Sequence, residues 1–265
     1  MSSELHLSYN KKIVCECSIT LHENMHIGVG DKSSPLGIIT DSSGNPIIPG
    51  SSLKGFFRAY VNRILNGVHV NGGTIDGIDL NKLDDEKILE NFEKKSSEDK
   101  IKTISEGKLS AISLLFGVSG FASPIKFTDA VVFIRNVVAV GVRAHARLDI
   151  DKESVQNLIT MESVQPYAEN KHFIFKIVFE ELSDRSMREA NLLFYYLLRM
   201  LTKGIEGFVG GWRSRGYGFA SIKCEKIIVQ NSVDLLVGNN PIEYSGESLT
   251  QYVNDMIRKF KGEQK

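Results

Sequence analysis

A disulfide framework and a cysteine-built zinc site are both beyond this chain. It holds only three cysteines, Cys15, Cys17 and Cys224, with no Cys-x-x-Cys pair. The spacing of Cys15 and Cys17 around Glu16 suits buried thiols of a strand in a reducing compartment. An excess of one charge is lacking too, since 32 Lys and Arg balance 32 Asp and Glu. Net charge therefore gives no sign of nucleic acid, and any surface for a polyanion must be local. No apolar run is long enough to cross a bilayer, and Met1-Ser-Ser-Glu4 is no signal peptide. A cytoplasmic protein with no membrane partner is expected. No Gly-Lys-Ser/Thr closes a phosphate loop, and Gly28 and Gly30 lack the rest of a dinucleotide fingerprint. No nucleophile elbow and no His/Cys/carboxylate set with zinc spacing is present.

What the chain does have is apolar periodicity, with 42% hydrophobic residues in 265, enough for a substantial core. Ile13, Cys15, Cys17, Ile19 and Leu21 alternate with polar neighbours, the period of a half-buried strand. Leu53, Phe56, Phe57, Tyr60, Val61, Ile64 and Leu65 recur at helical spacing after Pro49-Gly50. A helix is expected there, N-capped by Ser51 or Ser52 and ending near Gly67. Residues 130–140, 141–150, 172–180 and 219–229 read as strands. A helix capped by Asp184 or Ser186 is expected over 187–203, and another over 248–260. Residues 67–108 are polar and nearly without aromatics, which reads as a mobile insertion with a short surface helix over 84–92. The order strand, helix, strands, helix, strand predicts an α+β fold. Its core would be ferredoxin-like or RRM-like, an antiparallel sheet with helices on one face, plus insertions. The domain is placed at 1–229, and residues 230–265 form a tail carrying the last helix.

Several patterns suit RNA. Arg213, Ser214, Arg215 and Tyr217 lie among Gly210, Gly211, Gly216 and Gly218. Glycines let a phosphate backbone approach closely, and guanidinium groups grip phosphate or stack on bases, as Trp212 or Tyr217 can. Arg143, His145 and Arg147 project from one strand face, which must meet solvent or a polyanion. Ser51, Ser52, Lys54 and Arg58 at a helix N-terminus form a possible phosphate cradle. Each pattern also has a plain alternative: a capped amphipathic helix, or a glycine turn with solvated arginines.

The stretch Ile48-Pro-Gly-Ser-Ser-Leu-Lys-Gly-Phe-Phe-Arg58 resembles the first helix of the RAMP proteins of type III CRISPR effector complexes. Three further stretches are similar to that family in order: Leu115-Phe-Gly117 with Ser123-Pro-Ile-Lys-Phe-Thr-Asp-Ala130, Gly141-Val-Arg-Ala-His-Ala-Arg-Leu-Asp149, and Gly210-Gly-Trp-Arg-Ser-Arg-Gly-Tyr-Gly218. The resemblance implies a backbone subunit that holds crRNA, stacks with other RAMP subunits and meets target RNA. It also implies a thumb-like hairpin at 151–171, with Leu158, Ile159 and Met161 as an apolar wedge. Binding would need no cofactor. The resembled subunits cut target RNA with an aspartate ahead of the Pro-Gly-Ser-Ser helix, aided by a divalent metal. Here that position falls at Ser34-Pro35, and Asp31 is the nearby substitute, with Mg2+ or Mn2+ required if it cuts. Other readings remain: a metal-free guide-processing ribonuclease using His22 or His26, or a ferredoxin-like domain with no nucleic-acid role.

Overall fold

The computed structural model describes residues 9–28, 36–82, 86–133, 138–149, 154–167 and 171–262. Its first elements are β1 (Tyr9–Leu21), β2 (Ile47–Ile48) and α1 (Gly50–Val70). Then come α2 (Glu86–Glu93), α3 (Ser97–Ser105), α4 (Ala111–Phe116), β3 (Ile125–Phe127) and β4 (Ala130–Val132). A ribbon of β5 (Val138–Asp149) and β6 (Ser154–Pro166) precedes β7 (Phe173–Leu182), α5 (Arg188–Lys203), β8 (Ile205–Phe208) and β9 (Phe219–Asn231). The chain continues through α6 (Ser232–Val237), β10 (Ile242–Ser245) and α7 (Gly246–Gly262).

Strand β1 is antiparallel to β7 on one edge and to β9 on the other, with Cys15 opposite Ile177 and Ile227. β3 and β4 extend the far edge of β7, and β8 and β10 share the far edge of β9. With β3 and β4 counted as one position, the sheet order is β9-β1-β7-β3/β4. That is the ferredoxin-like split βαβ arrangement expected from the order of elements. Period-two alternation sends Ile13, Cys15, Cys17, Ile19 and Leu21 inward, and all are buried. Both main helices cover that same face. Phe57 of α1 lies 6.3 Å from the ring of Phe175, and Phe194 of α5 stacks on Phe179 at 3.8 Å. The three thiols are free and buried. No helix among the described residues is long and apolar enough to cross a membrane.

The start of α1 differs from expectation. Its N-cap is Pro49, with no side-chain cap bond, and Ser51 and Ser52 are exposed within the first turn. The Gly50 N–H instead donates to Asp129 Oδ1 at 2.7 Å. A Cβ on Gly50 would sit 2.3 Å from the Phe127 carbonyl oxygen, so only glycine admits this approach. A carboxylate from the β3–β4 turn, beside β2, thus satisfies a free first-turn donor and complements the helix dipole.

Residues 67–108 are also more structured than their composition suggests. α1 runs on to Val70, α2 and α3 follow, and Ile78, Leu80, Phe92 and Ile104 reach the core. Few apolar residues suffice because each lies on the inward side of a short helix or turn. The strand expected over 130–140 is divided between β4 and β5. The hairpin expected over 151–171 is β6 paired with β5 along its length, so 141–149 is its other arm. The tail adds α6 and β10, neither expected, besides the helix expected near 248–260.

One inward position of β1 carries a charge. Lys11 Nζ lies 3.3 Å from Glu181 Oε2, and both residues are buried. Tyr195 Oη and Asn10 Nδ2 each donate to that carboxylate at 2.5 Å. The ammonium also lies 5.6 Å from the Tyr195 ring and 5.7 Å from that of Tyr252 on α7. Burial pushes Lys11 below the usual lysine range against the pull of Glu181. Removing one member of a buried pair strands the other, so Lys11→Ala should cost about 3–5 kcal/mol in urea denaturation. Gly50→Ala should cost about 1–3 kcal/mol by overpacking against Phe127. Wild-type denaturation midpoints in either variant would contradict these placements.

Candidate nucleic-acid interface

The segment leaving β1 organises the site. Met25 and Val164 of β6 exchange backbone bonds of 2.8 and 2.7 Å. The Gly218 N–H donates to the Asn24 carbonyl at 2.7 Å, and the Gly211 N–H to that of His26 at 2.8 Å. One short segment therefore fastens both the ribbon and the glycine-rich loop. Gly210 and Gly218 have positive φ, and a Cβ on them would lie 2.5 Å from His26 O and 2.0 Å from Val209 O. These glycines are needed for close backbone approach within the protein.

Between them the loop rises into solvent. Trp212 has φ 58, a left-handed conformation uncommon for a bulky residue. Arg213, Ser214 and Arg215 form an exposed single turn. The Arg215 guanidinium lies over the indole of Trp212, 4.1 Å from its centroid. From β5, His145 Nε2 meets Tyr217 Oη at 2.9 Å, and its ring lies 5.2 Å from that of Trp212. Arg143 is exposed one pleat earlier. Its Nη2 and Nε donate to the Asn24 side-chain oxygen at 3.1 and 3.2 Å, in the amide orientation that satisfies both groups. Arg147 stands further along the same strand, opposite Asn157.

The structure thus joins Arg143, His145, Arg213, Ser214, Arg215 and Tyr217 in one neighbourhood. Tyr217 differs from expectation: its ring is buried, so it holds His145 instead of offering a stacking face. The α1 residues form a second group. Ser51 and Ser52 are exposed, and burial and then the nearby Arg58 charge hold the Lys54 ammonium below its usual range. Arg58 Nη1 donates to the Gly117 carbonyl at 2.9 Å, tying α1 to the Leu115–Gly117 turn. That bond and the Asp129 cap mean this helix end is partly satisfied by protein groups.

Of the residues weighed for catalysis, only the two histidines have described positions. Asp31, Ser34 and Pro35 lie outside the described residues. His26 is buried, and its Nδ1 bonds to the Glu162 carbonyl at 2.7 Å, so it braces the ribbon. His22 Nε2 bonds to Ser221 Oγ at 2.6 Å on the protein surface. Met161 of the supposed wedge is buried and Ile159 half-buried; the Leu158 side chain lies outside the described atoms. No trio of His, Cys, Asp or Glu among the described residues could hold a metal ion.

The uncovered face of the sheet is a poorer RNA platform. Lys176 and Lys226 both pair with Glu16 at 3.5 Å, Lys226 pairs with Glu243 at 3.2 Å, and Lys171 pairs with Glu225. These three lysines are thus matched within the protein. The residues missed from sequence are Asn24 and the Asp129 cap. Asn24 carries no motif, and only its contact with Arg143 reveals it.

The model of the RAMP superfamily matches residues 18–221. No curated protein matches the chain. Among solved structures, a chain of a type III-A Csm3–Csm4 subcomplex of a CRISPR-Cas interference complex shares 21% identity at TM-score 0.50, over 95% of this chain and 98% of that one. A chain of a type III-B Cmr-beta complex in its apo state shares 13% identity at TM-score 0.47, over 83% of this chain and 98% of that one. The match to the family model covers most of the chain, and the chain belongs to the RAMP superfamily.

Proposed function

We propose that this protein is a crRNA-binding subunit of a cytoplasmic type III CRISPR interference complex. It would stack with other RAMP subunits along the guide and meet target RNA there. The observation that carries this reading is that His145 of β5 and Arg215 of the glycine-rich loop meet at Trp212, with Arg143 of the same strand held by Asn24 and Arg213 exposed in the same loop. Flexible phosphate and planar bases are what exposed guanidiniums and a half-exposed indole accommodate. The matched charges of the sheet face and the buried ring of Tyr217 favour contacts to the RNA backbone over base readout. Arg213→Ala with Arg215→Ala should lower affinity for all single-stranded RNA sequences alike. The salt slope of log Kd should flatten by about one to two units. A loss confined to one sequence, or an unchanged slope, would contradict the reading.

A second reading is metal-dependent cutting of target RNA through Asp31. The observation favouring it is where its segment is anchored. Gly28 bridges to Ile38, and the Leu36 N–H donates to the Thr160 carbonyl at 3.0 Å, so the far flank of that segment lies against the middle of the ribbon. Mg2+ or Mn2+ would hold the scissile phosphate or activate the attacking hydroxyl. With the usual acidic position at Ser34-Pro35, the assembled complex should cut weakly or not at all opposite this subunit. Strong metal-dependent cuts there that vanish in Asp31→Ala would establish the nuclease.

A further inference from the structure

A groove between α1 and β8 has no part in the contacts described so far. Tyr60, Arg63 and Ile64 line one wall, Phe208 and Phe219 the other, and Arg213 of the glycine-rich loop closes one end. Its volume is about 800 Å³, within the range of small-ligand clefts. Phe208 is 41% exposed and Ile64 36%, both high for apolar side chains on a folded surface.

The rings are held in place. Phe208 meets Phe219 at 5.3 Å, and Phe219 meets His22 at 5.4 Å. Tyr60 stacks on Phe56 at 5.9 Å. The strand comes close to the helix because Gly207 has no side chain: a Cβ there would lie 2.9 Å from the Phe56 ring. Rings fixed by their neighbours lose little entropy when a planar ligand stacks on them. Charge narrows the choice of ligand. Arg63 and Arg213 are exposed cations against one carboxylate, Glu206, and Arg63 Nε already donates to Ala59 O at 3.3 Å. An apolar protein segment would bury two guanidinium charges against a single carboxylate, which is costly. A base carrying its own phosphate supplies both the flat apolar surface and the anion.

We propose that the groove between α1 and β8 is a stacking subsite for an unpaired RNA base, whose phosphate is shared with Arg213. This rests on the RNA-binding reading above and extends the interface beyond the glycine-rich loop. Because stacking carries no net charge, losing it should weaken binding without changing its salt dependence.

The test uses the full-length protein, a fluorescent unstructured single-stranded RNA and anisotropy across a salt series. Phe208→Ala should weaken binding roughly 5- to 150-fold with a wild-type salt slope, and Phe208→Tyr should bind like wild type. In wild type, RNA carrying 4-thiouridine should photocrosslink to peptides containing Tyr60 or Phe208. Wild-type affinity in Phe208→Ala, or a changed slope, or no crosslink in the groove, would overturn the subsite and leave the RNA-binding reading standing. Unchanged RNA binding with weakened assembly onto other RAMP subunits would make the groove a protein interface and overturn it too. A wild-type protein that binds no RNA would sink the underlying reading itself.

Discussion

The structure hangs on β1 being hydrogen-bonded along both edges. With β7 on one side and β9 on the other, its register fixes which side chains enter the core. A slip of one residue would turn Ile13, Cys15, Cys17 and Ile19 to the charged face and bring Glu16 inside. The end of β1 is therefore a fixed point, and residues 22–28 leave from it. From there Asn24 and His26 hold the glycine-rich loop, and Met25 holds the ribbon. Two elements far apart in sequence meet because one short segment bonds to both. His145 and Tyr217 then link them directly through side chains.

Local charge follows from the same geometry. The chain has no net charge, and Lys171, Lys176 and Lys226 of the open sheet face are matched by Glu16, Glu225 and Glu243. The arginines of the glycine-rich loop stand exposed, and Arg215 stacks on the ring of Trp212. A neutral protein can in this way present a cationic surface in one place. Trp212 keeps a left-handed backbone there, a conformation that costs energy and persists only where surrounding bonds hold it. Gly211 and Gly218, each bonded to the segment after β1, supply that hold.

Much of the fold was legible because its main elements are strongly periodic. The alternation of β1, the apolar faces of α1 and α5, and the β-branched run of β9 each announce their element. What stayed hidden depends on distant partners. The cap of α1 is Asp129, some way along the chain, so the serines beside Pro49 were the natural local choice. The helix expected over 84–92 corresponds to α2, whereas α3 buries only Thr103 and Ile104, too few for a periodic signal. The long ribbon does not announce itself as one hairpin because its arms differ in composition, one β-branched and basic, the other more polar. Arginines and glycines of the site were visible as motifs. Asn24, and the burial of Tyr217, were not, since neither follows from spacing.

The central claim is that the glycine-rich loop and the ribbon base form one RNA-binding surface around Trp212. Trp212 is the single tryptophan of the chain, so its fluorescence reports that spot alone. Titrating the protein with unlabelled single-stranded RNA at low salt should change the emission with the midpoint measured by an independent binding assay. Added salt should reverse the change as phosphate contacts weaken. RNA that binds while the emission of Trp212 stays constant would place the interface elsewhere and contradict the account.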